Sequence, residues 1–327
     1  MAQHQLLIFP KDHLAYHQLI TDTQHQLLIS RQALPNIDFC KLLIDAKDRG
    51  VDVRLLLSDP HYFETYSAEE IAHHHQISYD MALYSKVTLG EKAYFILYLQ
   101  EHGIAVSFVD HHKIFLNHSK YMIMDSQRLF TGSAPNDHTT RLDMGIVTVD
   151  KSIVNSFQQL FAADFDKHQT TLSIYNEVTI APHNLRVQIE QMLKHAQESI
   201  YLMFPVITDD PAILDIIKNK IEEGITVNIL CSPDIFITSE GPNIDIQYND
   251  KLRSYGAQLK ECYEPIIHNR CIMIDPDNTQ NFPQKIFLGS GNLKTSSLDK
   301  SRETGIILND PSIIADVRKI FQRIWDQ

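Results

Sequence analysis

The sequence predicts an α/β fold of two similar halves, each a mainly parallel sheet flanked by helices, related by a pseudo-two-fold with one site between them. Three observations predict it. The stretch "LLIDAKDRGVDVRLLLSDP" (42–60) is echoed by "IIKNKIEEGITVNILCSPD" (216–234). Each copy is preceded by a short apolar run, "HQLLIS" in one case and "ESIYLMF" in the other. Further pairs of segments then recur in the same order to the end of the chain. Self-similarity on this scale marks a duplicated architecture.

The elements follow in order from composition. "HQLLIS" and "ESIYLMF" are apolar runs of strand length. The matched stretches after them carry apolar residues at helical spacing, then charges, then Gly50 or Gly224, then an alternating apolar run. That is a helix stopped near glycine, which accepts the left-handed conformation, followed by a buried strand. Strand–helix–strand units set their strands parallel, with helices on the faces. "LQEHGIAVSFV" (99–109) then pairs with "LRSYGAQLKEC" (252–262), and "RLDMGIVTVD" (141–150) with "SRETGIILND" (301–310). Each half closes with an amphipathic helix, "SIVNSFQQLFAADF" or "SIIADVRKIFQRIW". The halves fall at residues 1–170 and 171–327. A segment at about 61–98 has no counterpart, and "PHYFETYS" and "EKAYFILYLQ" make it aromatic and amphipathic. It is expected to be a helical cap on the core; the alternative is a lid or a surface that touches lipid beside the cleft.

Composition narrows the function. The 327 residues are 43% hydrophobic and 21% charged, ordinary for a globular chain able to bury a sizeable core. Lys and Arg number 29 against 41 Asp and Glu, a net charge of −12. Such a surface repels polyanions, so nucleic acid would need a local basic groove, and no Lys/Arg-rich run supplies one. Cys40, Cys231, Cys262 and Cys271 show no CxxC pair and no zinc spacing, and read as free thiols. The N-terminus lacks the pattern of a secretory signal, and no apolar stretch approaches the roughly 20 residues that span a bilayer. The expected location is the cytoplasm of the cell that makes it, export requiring a signal of another kind.

The chemistry-bearing residues lie in two matching stretches. "NHSKYMIMDSQRLFTGSAPND" (117–137) holds His118, Lys120 and Asp125, then Gly132-Ser133. "IHNRCIMIDPDNTQNFPQKIFLGSGN" (267–292) holds His268, Arg270 and Asp275, then Gly289-Ser290. Residues two apart on a strand face the same way, so His118 and Lys120 share a face with Met122 and Met124, opposite Tyr121, Ile123 and Asp125. Facing histidines from two halves can attack a phosphodiester from one side and protonate its leaving oxygen from the other. Paired side-chain cations would neutralise the phosphate, so neither a metal nor any other cofactor is expected.

This double pattern resembles the phospholipase D superfamily, whose signature runs H-x-K, four residues, D, six residues, G-S, with an Asn shortly after. The first copy fits through Gly132-Ser133; the second carries the insertion "PDNTQNFPQK" before its Gly-Ser. Position 270 is Arg where the family has Lys, and Asn136 comes one place late, after Pro135. The resemblance covers the chain from about residue 20 onward. It implies His118 as nucleophile and His268 as general acid, with Lys120, Arg270, Ser133, Asn136, Ser290 and Asn292 on the phosphate oxygens. It also implies Asp143 and Glu303 as carboxylates holding the unreactive ring nitrogens, with Asp125 and Asp275 structural. The implied activity is phospholipase D-type hydrolysis or transfer of a phosphatidyl unit to an alcohol, through a phosphohistidine, with peripheral membrane contact. A monomer is expected, since one chain holds both halves.

Two other readings share these residues. One is a nuclease of the same superfamily; the other is a catalytically silent protein that grips a phosphorylated ligand through Lys120 and Arg270. Outside the motifs, "AHHHQ" (His73 to His75) is expected to be a solvated helix face, because adjacent helical residues point apart. "DHHK" (Asp110 to Lys113) is expected to be a plain loop, with a place at the cleft the alternative.

Overall fold

The short apolar runs become strands and the amphipathic runs between them helices, in the same order in both halves. A computed structural model describes residues 3–90, 92–133, 141–167, 172–205, 207, 210–232, 245–277 and 281–327. The first half comprises β1 (His4–Phe9), α1 (His13–Thr21), β2 (Gln26–Ser30), α2 (Ile37–Asp48), β3 (Asp52–Leu57), α3 (Pro60–Thr65), α4 (Ala68–His75), α5 (Tyr79–Gly90), α6 (Ala93–Glu101), β4 (Ala105–Phe108), β5 (Tyr121–Met124), β6 (Arg128–Gly132), β7 (Arg141–Thr148) and α7 (Lys151–Phe165). The second comprises β8 (Val178–Ala181), α8 (Leu185–Lys194), β9 (Ser199–Met203), α9 (Pro211–Glu222), β10 (Thr226–Cys231), α10 (Asp245–Tyr255), β11 (Gln258–Glu261), β12 (Ile266–Ile267), β13 (Arg270–Ile274), β14 (Lys285–Gly289), α11 (Thr295–Asp299), β15 (Glu303–Leu308) and α12 (Pro311–Trp325).

The two sheets have the same strand order. One runs β1-β7-β6-β5-β2-β3-β4 and the other β8-β15-β14-β13-β9-β10-β11. Along these paths only β2-β3-β4 and β9-β10-β11 are parallel and the other pairs are antiparallel, while β12 joins β7 in parallel from outside the first path. The sheets are therefore mixed rather than mainly parallel. Strand–helix–strand connections force parallel pairing only where they occur, and the motif strands β5 and β13 extend each sheet by antiparallel pairing.

Packing stacks these sheets in layers. The outer face of the first sheet buries Tyr16, Ile20, Phe39 and Leu43 of α1 and α2, and the outer face of the second buries Leu185, Ile189, Ile213 and Ile217 of α8 and α9. Between the sheets lie α7 and α12, whose Ile153, Phe157, Phe161, Ile313, Val317 and Phe321 join both inner faces in one core. Each such side chain contributes roughly 1.5–3 kcal/mol by leaving water. Both helices begin alike: Asp150 accepts from the N–H groups of Ser152 and Ile153, Asp310 from those of Ser312 and Ile313. Loss of either cap would cost about 1 kcal/mol.

The unmatched segment is helical, as expected, but its bounds shift. Helix α6 corresponds to α10, each leading into the last parallel strand, so the insertion proper is α3 to α5. Phe63, Ile71, Ala82 and Leu89 pack there on Phe115 and Leu116, just before His118. His73 and His74 are exposed, whereas His75 is buried and its Nε2 meets the Tyr62 hydroxyl at 3.0 Å. All four cysteines are free and buried. Among the described residues no helix is long and apolar enough to cross a membrane.

Candidate active site

The two motif histidines are placed by backbone pairing across the halves. His118 N donates to Arg302 O at 2.9 Å and Arg302 N to Leu116 O at 2.8 Å, so the entry to the first motif runs alongside the start of β15. In the same way β12 pairs parallel with the start of β7, and His268 N donates to Leu142 O at 3.0 Å. The next residues along β7 and β15 are Asp143 and Glu303. Each carboxylate therefore faces the histidine of the opposite half. His118 Nδ1 lies 2.9 Å from both Glu303 oxygens, and His268 Nδ1 lies 2.8 Å from Asp143 Oδ1. All four side chains are largely buried, His118 being the most open at 15%.

The glycines make this approach possible. Gly132 sits opposite Gly145, and Gly289 opposite Gly305. A Cβ on Gly289 would stand 2.6 Å from Thr304 O and 2.8 Å from the Gly305 Cα, and one on Gly132 would meet Met144 O and the Gly145 Cα as closely. Side chains there would push β7 and β15 away from the strands they must touch.

Burial sets the electrostatics. It pushes His118 and His268 down to about 4, against the opposing pull of Glu303 and Asp143, with Lys120 and Arg270 adding to the downward shift at His118. Lys120 is held well below its usual range by burial and by Arg270. Burial raises the Glu303 carboxyl, but His118, Lys120 and Ser290 outweigh it and the net direction is down. Lys120 Nζ donates to His118 O at 2.7 Å, and Arg270 Nη1 donates to His268 O, so the two cations occupy equivalent places. Arg270 also donates through Nε to Asn292 Oδ1 at 3.0 Å.

The expected phosphate ligands divide. Ser133 Oγ donates to Met144 O and accepts from Met144 N, and Ser290 Oγ donates to Glu303 Oε2 at 2.6 Å and accepts from Thr304 N. Both hydroxyls thus have partners within the fold, Ser290 Oγ also lying 3.2 Å from Thr304 O. Asn292 lies beside Arg270, and Asn136 falls outside the described residues. Asp125 accepts from the N–H groups of Gln24, His25 and Gln26, and Asp275 from those of Gln197, Glu198 and Ser199. Each thereby caps the start of the adjacent central strand, away from the histidines.

Other residues of the site have weaker signals. Ser58 and Ser232, at the ends of β3 and β10, accept the N–H of Asn117 and Ile267, the residues just before the histidines. Their equivalent positions in the duplication are the one clue to them. Ser297 donates to Glu303 Oε1 at 2.5 Å and has no such clue. His111, from "DHHK", is structural: its Nε2 accepts from Asp59 N and its Nδ1 faces the carbonyls of Ile114 and Phe115.

Fold and site together define a class: two fused copies of one α/β unit that share a pair of histidine–carboxylate dyads across their interface. The chain matches the family described as "Cardiolipin synthase, PLD-like domain" over residues 16–165 and 189–325, and so belongs to the phospholipase D superfamily. It is 23% identical over 150 residues to cardiolipin synthase 1 of Staphylococcus epidermidis, covering 44% of this chain and 28% of that protein. It is 29% identical over 123 residues to phospholipase D Z of Dictyostelium discoideum, covering 35% of this chain and 26% of that one. The matched stretches thus span little more than a quarter of either relative. The crystal structure of phosphatidylserine synthase from Haemophilus influenzae Rd KW20 superposes with a TM-score of 0.69 at 14% identity, over 98% of this chain and 86% of that one. Polyphosphate kinase from Porphyromonas gingivalis gives 0.67 at 12% identity, over 98% of this chain and 46% of that one. These two likenesses show a shared fold.

Proposed function

We propose that this protein is a phospholipase D-type phosphodiesterase that hydrolyses a phospholipid or transfers its phosphatidyl unit to an alcohol. The observation that carries the reading is the pair of dyads, His118–Glu303 and His268–Asp143. Each carboxylate engages Nδ1, which leaves Nε2 as the nitrogen that can meet phosphorus or a leaving oxygen. His118 Nε2 attacks phosphorus, the bond to the head-group oxygen breaks, and His268 gives that oxygen a proton. Water or an alcohol then attacks the phosphohistidine; His268 takes its proton, the P–N bond breaks and His118 is restored. Lys120 and Arg270 balance the charge on the non-bridging oxygens, and Asn292, its Oδ1 turned to Arg270, offers Nδ2. The names of the sequence relatives and the net charge of −12 favour a lipid over nucleic acid.

The test uses the purified chain, mixed phospholipid vesicles, a short-chain primary alcohol and a chelator, with products read by mass spectrometry. Phosphatidyl-alcohol that disappears in His118→Ala supports a covalent phosphatidyl-enzyme. Absence of product from every lipid class would overturn the lipid reading and direct the assay to single-stranded oligonucleotides.

A further inference from the structure

We propose that Ser297 is a positioning residue that locks Glu303 onto His118 and couples that pair to the loop carrying Asn292. The proposal rests on the phosphodiesterase reading for its kinetics, and on geometry alone for the lock.

The Ser297 hydroxyl accepts from Asn292 N at 3.2 Å and donates to Glu303 Oε1 at 2.5 Å. The accepted N–H fixes which way the single hydroxyl proton points. Ser290 Oγ donates to the other oxygen, Oε2, at 2.6 Å, and His118 Nδ1 sits 2.9 Å from both. The carboxylate is thus held at three points and cannot turn. Ser297 is itself fixed by its short helix. Asp299 of α11 takes a two-pronged bond from Arg186 at 2.6 and 2.7 Å, and Thr295 Oγ1 donates to Asp210, which Arg186 also grips.

The first half has no such clamp among the described residues. Asp143 receives His268, while the hydroxyl of Ser133, the counterpart of Ser290, goes to Met144 O. The clamp on Glu303 suits the task proposed for His118. A nucleophile must keep its nitrogen in line with the breaking bond, which a fixed partner secures.

The test compares Ser297→Ala and Ser297→Thr with the wild-type full chain, using bis(4-nitrophenyl) phosphate and phospholipid vesicles, with thermal unfolding as a folding control. Ring-nitrogen NMR of His118, assigned through His118→Gln, is read in the same samples. In Ser297→Ala we expect kcat to fall about 10- to 100-fold with KM within about three-fold of wild type. The limb of the pH–rate profile that reports His118 should move to higher pH, because a carboxylate with one donor fewer attracts the imidazolium more strongly. The Nδ1–H tautomer signal should broaden or mix, and Thr should restore all three readouts. Wild-type kcat and an unchanged tautomer in Ser297→Ala would overturn the proposal. So would a loss of folded protein in Ala that Thr does not repair. A wild type inactive on every probe, with the tautomer still changed by Ala, would remove the functional reading and leave the lock standing.

Discussion

His118 Nδ1 is held 2.9 Å from both oxygens of Glu303, a residue 185 positions further along the chain and in the opposite half. His268 is held in the reverse sense by Asp143. Neither half therefore contains a complete dyad, and the interface between halves is what assembles both.

Replacement of either carboxylate by its amide tests this directly. Glu303→Gln keeps the size and one acceptor but loses the charge and lets the imidazole adopt the other tautomer. A fall in kcat of about 10²- to 10⁴-fold is expected, with the fold retained, by analogy with the orienting aspartate of serine proteases. Asp143→Asn should lower kcat likewise. Steady-state kinetics with circular dichroism on the same samples would check both, and full activity in either amide variant would remove its carboxylate from the mechanism.

Arg270→Lys separates charge from geometry. The arginine fork reaches both His268 O and Asn292 Oδ1, whereas Lys120 in the equivalent place has, among the described residues, a bond to His118 O. A lysine at 270 would keep the charge and leave Asn292 Oδ1 without that donor, costing about 1–3 kcal/mol for a buried acceptor. The urea midpoint should drop correspondingly, and sulfate should bind more weakly. An unchanged midpoint would show that water or a neighbour takes over the contact.

Anion binding should take up a proton. Burial holds His118 and His268 down to about 4, so both are neutral at pH 7, whereas the proposed mechanism needs one of them to carry a proton. A bound anion favours the charged imidazolium and raises its pKa. Sulfate, which does not titrate near neutrality, should bind with proton uptake and more tightly at pH 6 than at pH 8. Isothermal titration calorimetry in buffers of different ionisation enthalpy would measure it; equal heats after buffer correction would contradict it.

Much of this was legible because the duplication repeats each local signal. The alternation holds over 121–124, where Met122 and Met124 lie in the outer core with α1 and α2 and Tyr121 and Ile123 in the inner core, while His118 and Lys120 precede β5 and Asp125 follows it. Asp143 and Glu303 could be aligned with each other, but which histidine each one serves is a tertiary pairing set by Leu142 and Arg302, and periodicity is blind to it. The antiparallel part of each sheet was misjudged because strand–helix–strand units report only their own strands. For the serines of the Gly-Ser pairs, sequence shows a hydroxyl but not the partners the fold gives it. Ser297 has no repeat to flag it.

Acid should unfold the protein partly through a histidine that does no chemistry. His111 is buried, and its Nε2 accepts from Asp59 N at 2.9 Å while its Nδ1 donates to backbone carbonyls, so the ring is held neutral. Protonating Nε2 would set two N–H groups against each other. Burial accordingly pushes it down to about 4, against about 6.5 in an unfolded chain. Between those values the unfolded state binds the extra proton, so stability is fully present above pH 6.5 and is lost as pH falls toward 4. The contribution is on the order of 3 kcal/mol at the acid end. His111→Gln should lower stability at pH 7.5 through its lost contacts, and it should also flatten the fall between pH 6.5 and 4.5. Denaturant midpoints across that range would measure the slope, and a slope equal to wild type would show that His111 carries none of the acid sensitivity.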